Sequence, residues 1–490
     1  MKAWELYSAA QVREFEQQAI ASGIAGHVLM QRAAAAVFAE LDRRWPQARR
    51  YAVICGAGNN GGDGYEVARL LLAAGRSVDV WQVGPPAADG DAELARAAWI
   101  ADGGTTRDWA IDAPAFSDRV TGAVIIDALF GIGLSRAVQE PYRGAIQAIN
   151  AAHALGSKVL AVDVPSGLDA NSGRALGVAV RADVTVTFIA VKSGLYLGDA
   201  AEYSGAVVLE NLQLPGRLPE GMIRVLAEHD LRRWLPPRKR SAHKGDNGHV
   251  LLIGGDHGMS GAILIAARAA LRAGAGLVTV ATRAAHAPLL TAAQPEVMFH
   301  GVETDAELRA LLARADVVAV GPGLGQGPWG WIGSGLAWTA QVPVVVDADA
   351  LNLLVKRPLR RDDWVLTPHP GEAARMLGIE TSAVQADRVA AVKALRARYG
   401  GVAVLKGAGS LVCGELLQLC PFGNPGMGVG GMGDALTGII AACIAQGLKP
   451  EDAAAAGVTA HARAGDYAAQ DGERGLLPSD LIDALRAVLN

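Results

Sequence analysis

Apolar positions in this chain fall into two patterns. Short, almost unbroken apolar runs mark strands buried on both faces of a parallel sheet, and longer segments of helical period lie between them. Ser8-Ala9-Ala10-Gln11 reads as a capping box opening a helix from about Ala9, and a second helix spans about Gly26–Trp45. The run Tyr51–Cys55 predicts a strand. It breaks into Gly56-Ala57-Gly58-Asn59-Asn60-Gly61-Gly62-Asp63-Gly64, which is read as a loop ahead of a helix at Tyr65–Ala74 and a strand at Ser77–Val83. Runs at Ala123–Ile126 and Lys158–Val162 end in the polar stretches Asp127–Gly133 and Asp163–Asp169, and Asp183–Ala190 and Lys192–Leu195 extend the sheet.

Leu212–Leu226, with Pro215, Gly216, Pro219 and Gly221, reads as a linker. The pattern then starts again. Strands are predicted at His249–Gly254, Leu277–Ala281, Asp316–Val320, Pro343–Val346, Trp364–Leu366 and Ala403–Leu405, with an alanine-rich helix at Gly261–Ala273. The fold class is α/β in two domains: 1–215, of three-layer α/β/α type, and 225–490.

Composition narrows the function classes. At 490 residues, 51% apolar and 19% charged, the chain is globular rather than disordered. A net charge of −4 gives no general nucleic-acid surface, and Arg238-Lys239-Arg240 is too short to make one. Cys55, Cys413, Cys420 and Cys443 have no metal-ligand spacing and read as reduced core thiols. Charged residues near the start argue against a signal peptide, and no apolar run is long enough for a bilayer. A cytoplasmic protein with no membrane or nucleic-acid partner is expected.

The candidate chemistry follows the strands, where ligands of parallel sheets bind. Asn424–Gly438 holds six glycines in fifteen residues and runs into the apolar segment Ala435–Ala442. Gly430-Gly431-Met432-Gly433-Asp434 therefore reads as an anion-binding loop at a helix start. Asp434 would be an N-cap or, beside an anion site, a base taking a hydroxyl proton. Gly56, Gly58 and Gly61 match G-x-G-x-x-G. The helix is expected to start too late for a dinucleotide fingerprint, and Asp79 does not end its strand. Asn60, Asp127 and Ser166 bring hard oxygen donors to one sheet edge, as a cation site needs. Each alone is ordinary turn chemistry. Lys406, between a strand and Gly407-Ala408-Gly409-Ser410, suits a phosphate.

Taken in order, these motifs resemble the bifunctional NAD(P)H-hydrate epimerase/dehydratase family over essentially the whole chain. The first half is similar to its Rossmann-like epimerase domain through Asn59–Gly64, Asp127–Gly133 and Asp163-Val164-Pro165-Ser166-Gly167. The second is similar to its ribokinase-like dehydratase domain, through Gly321-Pro322-Gly323-Leu324-Gly325, Asp347-Ala348-Asp349-Ala350-Leu351, Thr367-Pro368-His369-Pro370-Gly371-Glu372, Lys406–Ser410 and Gly430–Asp434.

The resemblance implies repair of NADH and NADPH to which water has added. One domain would interconvert the R and S hydrates, and the other would dehydrate the S form through phosphorylation and elimination. It implies potassium at Asn60, Asp127 and Ser166. Hydrate contacts in the first domain would be Asn59, Asn60, Gly61, Gly62, Asp63, Gly131, Ile132, Gly133, Leu134, Ser135, Arg136, Ala137, Tyr142 and the catalytic Asp163. In the second, Ala262, Gly323, Gly325, His369 and the catalytic Asp434 would hold the hydrate. Lys406, Gly407, Ala408, Gly409, Ser410 and Gly433 would hold ADP or ATP with magnesium. A homo-oligomer, a tetramer or larger, is expected. The alternative reading is a ribokinase-like small-metabolite kinase with a nucleotide-sensing N-terminal domain.

Overall fold

The computed structural model describes residues 5–214, 218 and 220–490. The chain divides into two compact units, Glu5–Met222 and Ile223–Asn490. Pro215, Gly216 and Pro219 of the predicted linker lie outside the described residues.

In the first unit a seven-stranded, all-parallel sheet runs in the order Thr106–Asp108, Ser77–Gln82, Arg50–Cys55, Val124–Ala128, Lys158–Val162, Val184–Phe188, Ala206–Glu210. Alternation along the strands fills two cores. Val53, Cys55, Ile126 and Leu160 face one, under the helices Gly26–Arg44 and Asn59–Ala73. Ala52, Ile54, Ile125 and Val159 face the other, with Trp81, Phe116 and Ile146. The chain leaves Arg50–Cys55 in one direction and returns to its other side at Val124–Ala128, so the loops after these strands part and leave a crevice. The first helix, Ala9–Ala21, starts on the capping box read from the sequence.

One expectation is overturned. The helix after the first glycine-rich loop begins at Asn59, not Tyr65, with Gly58 as N-cap. The glycines are helical because the helix lies directly on the sheet. A Cβ on Gly61 would stand 1.9 Å from the Gly56 carbonyl oxygen, and one on Gly64 would meet Ala128 at 2.7 Å. Packing here outweighs the poor helix propensity of glycine. Lys192, too, lies in a two-residue strand, Val191–Lys192, which pairs in parallel with Glu5–Tyr7.

In the second unit the parallel strands run in the order Met298–Gly301, Leu277–Thr282, His249–Ile253, Val317–Val320, Val344–Val346, Trp364–Leu366, Val402–Leu405. The antiparallel pair Ser410–Cys413 and Leu417–Cys420 follows, and Ile223–Val225 lies parallel to the latter. The helix Met432–Ala445 is buried almost all round, against Ser260–Arg272 and Pro450–Ala468. Ile439 and Ile440 are fully buried in it, each worth about 1.5–3 kcal/mol of removed apolar surface.

All four cysteines are buried and free, and burial pushes the Cys420 and Cys443 thiols up to about 12. Among the described residues no helix is long and apolar enough to cross a membrane.

Candidate active sites

In the first unit the crevice is a cavity of about 500 Å³. Strand ends and the first three helices line it. From the expected residues it gathers Asn59, Asn60, Asp63, Gly131, Ile132, Gly133, Leu134, Ser135, Arg136 and Asp163. Gly61 and Gly62 instead sit under the helix against Gly56 and Met30. Ala137 and Tyr142 are also outside the lining; the Tyr142 ring packs on Phe130 with centroids 4.5 Å apart.

Asp127, the last residue but one of the strand Val124–Ala128, has no exposure at all. Its Oδ2 accepts from the Ser166 N–H at 2.8 Å, and its Oδ1 accepts from the Ser166 hydroxyl at 2.6 Å and the Leu129 N–H at 3.3 Å. Burial pushes its pKa up to about 6 against these bonds. The Asn60 amide is buried at the start of the helix Asn59–Ala73, and neither its oxygen nor its nitrogen has a hydrogen-bond partner. Among the described residues no three His, Cys, Asp or Glu side chains form a metal cluster. Oxygen donors of this kind, an unpartnered amide and a buried carboxylate, suit a hard cation rather than a soft transition metal.

Asp163 adopts φ 69°, a conformation uncommon for a non-glycine residue. Its carboxylate is held by Lys192, which the sequence reading did not place in the site. Glu16 of the first helix also lines the cavity. Burial, then the charge of Asp163, raises the Glu16 pKa. Asp63 is pushed well above the carboxylate range by burial, with Asp163 and Glu16 adding to the effect. Only the fold could reveal this grouping, because its members come from four separate elements.

In the second unit Asp434 is the third residue of the helix Met432–Ala445. The N-cap is Gly431, at φ 95°, and no side chain caps the helix. The capping reading of Asp434 therefore fails. Burial and the neighbouring Asp347 push its pKa up to about 7, with Lys406 opposing. Lys406 donates to Asp347 Oδ1 at 2.7 Å and stands 3.8 Å from Glu372. Thr437 donates to the other Asp347 oxygen at 2.8 Å. Burial works against the Lys406 ammonium, yet Asp347, Glu372 and Asp434 outweigh it and raise its pKa. Half-buried His461 donates from Nε2 to the Met432 carbonyl at 2.9 Å, steadying this first turn as a neutral ring, desolvation lowering its pKa to about 4.

His369 caps its helix, accepting from the Gly371 N–H at 3.0 Å, and burial and Lys406 lower its pKa. A Cβ on Gly433 would lie 3.2 Å from Lys406 Nζ, so Gly433 adjoins this cluster. Ala262, Gly323 and Gly325 form a second group. A Cβ on Gly323 would be 3.2 Å from Ala262, and the Gly325 N–H donates to Asp349 at 2.9 Å.

Beneath Lys406–Ser410 lies Arg388, 6% exposed and absent from the sequence reading. It donates to the carbonyls of Leu405, Lys406 and Gly409, each at 3.3 Å, and to Gln385 at 3.0 Å. All four acceptors are neutral, and burial lowers its pKa to about 10. A separate surface hollow of about 940 Å³, lined by Tyr467, Arg474 and Arg486 among others, shares no residue with either group.

Residues 26–194 match a family model described as the YjeF-related protein N-terminus, and residues 250–487 match one described as NAD(P)H-hydrate dehydratase. The chain is 47% identical over 495 residues to a bifunctional NAD(P)H-hydrate repair enzyme from Coxiella burnetii, covering 99% of both chains. It is 44% identical over 493 residues to one from Escherichia coli, covering 99% of this chain and 94% of that one. A solved ribokinase-like superfamily protein from Enterococcus faecalis superposes with a TM-score of 0.52 at 29% identity, over 56% of this chain and 98% of that one.

Proposed function

The chain belongs to the bifunctional NAD(P)H-hydrate repair enzymes, and from that premise we propose which of its residues carry the two activities. It repairs hydrated NADH and NADPH. Its Rossmann-like unit epimerises the R and S hydrates, and its ribokinase-like unit dehydrates the S form with ADP or ATP.

The observation that carries the dehydratase assignment is the placing of Asp434 in the first turn of a glycine-capped helix, with Asp347 and Lys406 as neighbours. Hydroxide leaves poorly, so the hydrate oxygen is first phosphorylated. Asp434 takes the hydroxyl proton as that oxygen attacks the terminal phosphorus and the phosphorus–oxygen bond to the nucleotide breaks. The Gly430–Gly433 amides stabilise charge on the transferring group. Phosphate then leaves with its carbon–oxygen electron pair, and loss of a neighbouring ring proton restores the double bond. Ala262, Gly323, Gly325 and His369 hold the hydrate, and Lys406–Ser410 with Gly433 hold the nucleotide. Magnesium bound with the nucleotide would neutralise phosphate charge; Asp347, Glu372 and Asp434 outnumber the single ammonium of Lys406 and suit its approach.

In the other unit Asp163 acts as the base, and the cavity residues Asn59, Asn60, Asp63, Asp163 and Gly131–Arg136 enclose the hydrate. Potassium would be held by Asn60, Asp127 and Ser166 and would supply a fixed positive charge. A cytoplasmic homo-oligomer is the setting we propose.

The experiment is to incubate the protein with mixed hydrate epimers, nucleotide and magnesium, with and without potassium, and to follow reduced-nicotinamide absorbance. Full recovery of both epimers is expected. A phosphorylated product that accumulates without recovery would identify a kinase instead.

A further inference from the structure

Lysine is seldom fully buried without a partner, and Lys192 is 1% exposed. Its three protons have three acceptors: Asp163 Oδ1, Thr187 Oγ1 at 3.1 Å and the Phe188 carbonyl at 2.7 Å. The pairing of Tyr7 with Lys192 fixes the backbone that carries it.

Asp163 Oδ1 is thereby anchored, with Thr187 Oγ1 and the Phe188 N–H each a further 3.4 Å away. Its other oxygen turns towards Gly131. A Cβ there would lie 3.1 Å from Asp163 Oδ2 and 3.5 Å from Asn60 Oδ1. One carboxylate oxygen is tied down and the other faces the cavity, the arrangement a general base needs.

Other charged side chains face the same cavity. Glu16 faces Asp163 from the helix Ala9–Ala21, with Arg13 beside it. Asp63 faces it from the helix Asn59–Ala73, with Glu66 beyond. Lys192 is the cation bonded to Asp163 itself.

We propose that Lys192 is the positioning residue of the epimerase site, anchoring Asp163 Oδ1 beside Glu16 and aiming Asp163 Oδ2 into the cavity. This rests on Asp163 being the base. Water added across an enamine leaves the hydroxyl on the carbon next to the ring nitrogen. Asp163 takes that hydroxyl proton, the carbonyl forms, and the carbon–nitrogen bond breaks with its electron pair going to nitrogen. Asp163 returns the proton there. Rotation and closure on the opposite face invert the centre, and no co-reactant is consumed.

The test follows epimer exchange against pH with the full-length protein and no nucleotide. Lys192→Met should move the acidic limb up by about one pH unit or more, the size of effect of an adjacent opposite charge, and Lys192→Arg should restore part of it. Glu16→Gln should move the limb down by about half a unit. Asp163→Asn should slow exchange by at least ~100-fold, and thermal unfolding followed by circular dichroism checks that the first unit of each variant is folded. An active Asp163→Asn would overturn the base assignment itself. An inactive Asp163→Asn with unmoved limbs in the other variants would overturn the role of Lys192 alone. Should Lys192→Met not fold, Lys192→Arg decides by itself: a slower exchange with the charge kept is expected, and a wild-type rate and limb would count against the proposal.

Discussion

Asp434 is held in a state that favours its chemistry over the fold. Its pKa of about 7 in the protein lies above the ordinary 3.8. The stability tied to its neutral form is complete below pH 4 and is lost as pH rises through 7. Asn is neutral throughout, so Asp434→Asn should be more stable than the parent at pH 8 by on the order of 2 kcal/mol, the gap closing towards pH 4. Dehydration should fall by at least ~100-fold while nucleotide affinity is kept. Denaturant unfolding at the two pH values, with rate and binding assays, checks all three. Arg388 is the opposite case, a buried cation whose bonds all go to neutral acceptors under the Lys406–Ser410 loop. Arg388→Met should raise the KM for nucleotide roughly tenfold, the cost of about one charged hydrogen bond, and leave epimerisation unchanged. Steady-state kinetics of both activities on one preparation test it.

The helix Met432–Ala445 works by close approach to Ser260–Arg272. A Cβ on Gly438 would stand 2.0 Å from the Ala266 carbonyl oxygen, which is backbone and cannot swing aside. Gly438→Ala should cost about 3 kcal/mol or more in unfolding free energy. Gly430, just before the same helix, has nothing within 4 Å of its Cβ position. Gly430→Ala should stay within ~0.5 kcal/mol of the parent in stability yet lose dehydratase rate, the outcome expected from the proposed role of its amide at the transferring group. Calorimetry and activity measured together separate a glycine that packs from one that binds.

Each unit carries its own cores and its own cluster of candidate site residues. A fragment of the second should begin no later than Ile223, because Ile223–Val225 pairs with Leu417–Cys420. The domain start expected at 225 would remove that strand. A 223–490 fragment should dehydrate the S hydrate and leave the R form waiting on spontaneous epimerisation, visible as two phases in the absorbance trace. A single fast phase that consumes both would refute the division of labour.

Much was legible from the sequence because it is local. Apolar runs, the Ser8–Gln11 capping box and polar residues at strand ends are set by neighbouring side chains and turn chemistry, and parallel topology then brings the strand ends to one edge. Asn60, Asp127, Asp163 and Asp434 could be picked out this way. Only the tertiary structure decided the rest. The helix start at Asn59 depends on a sheet surface with no room for side chains, which overrides glycine's preference for loops. The Lys192 bond to Asp163 spans 29 residues and the Lys406 bond to Asp347 spans 59. Arg388 meets its loop from a different helix. A charged residue reads as surface in a sequence, and it becomes part of a site only when folding removes water and supplies the partner.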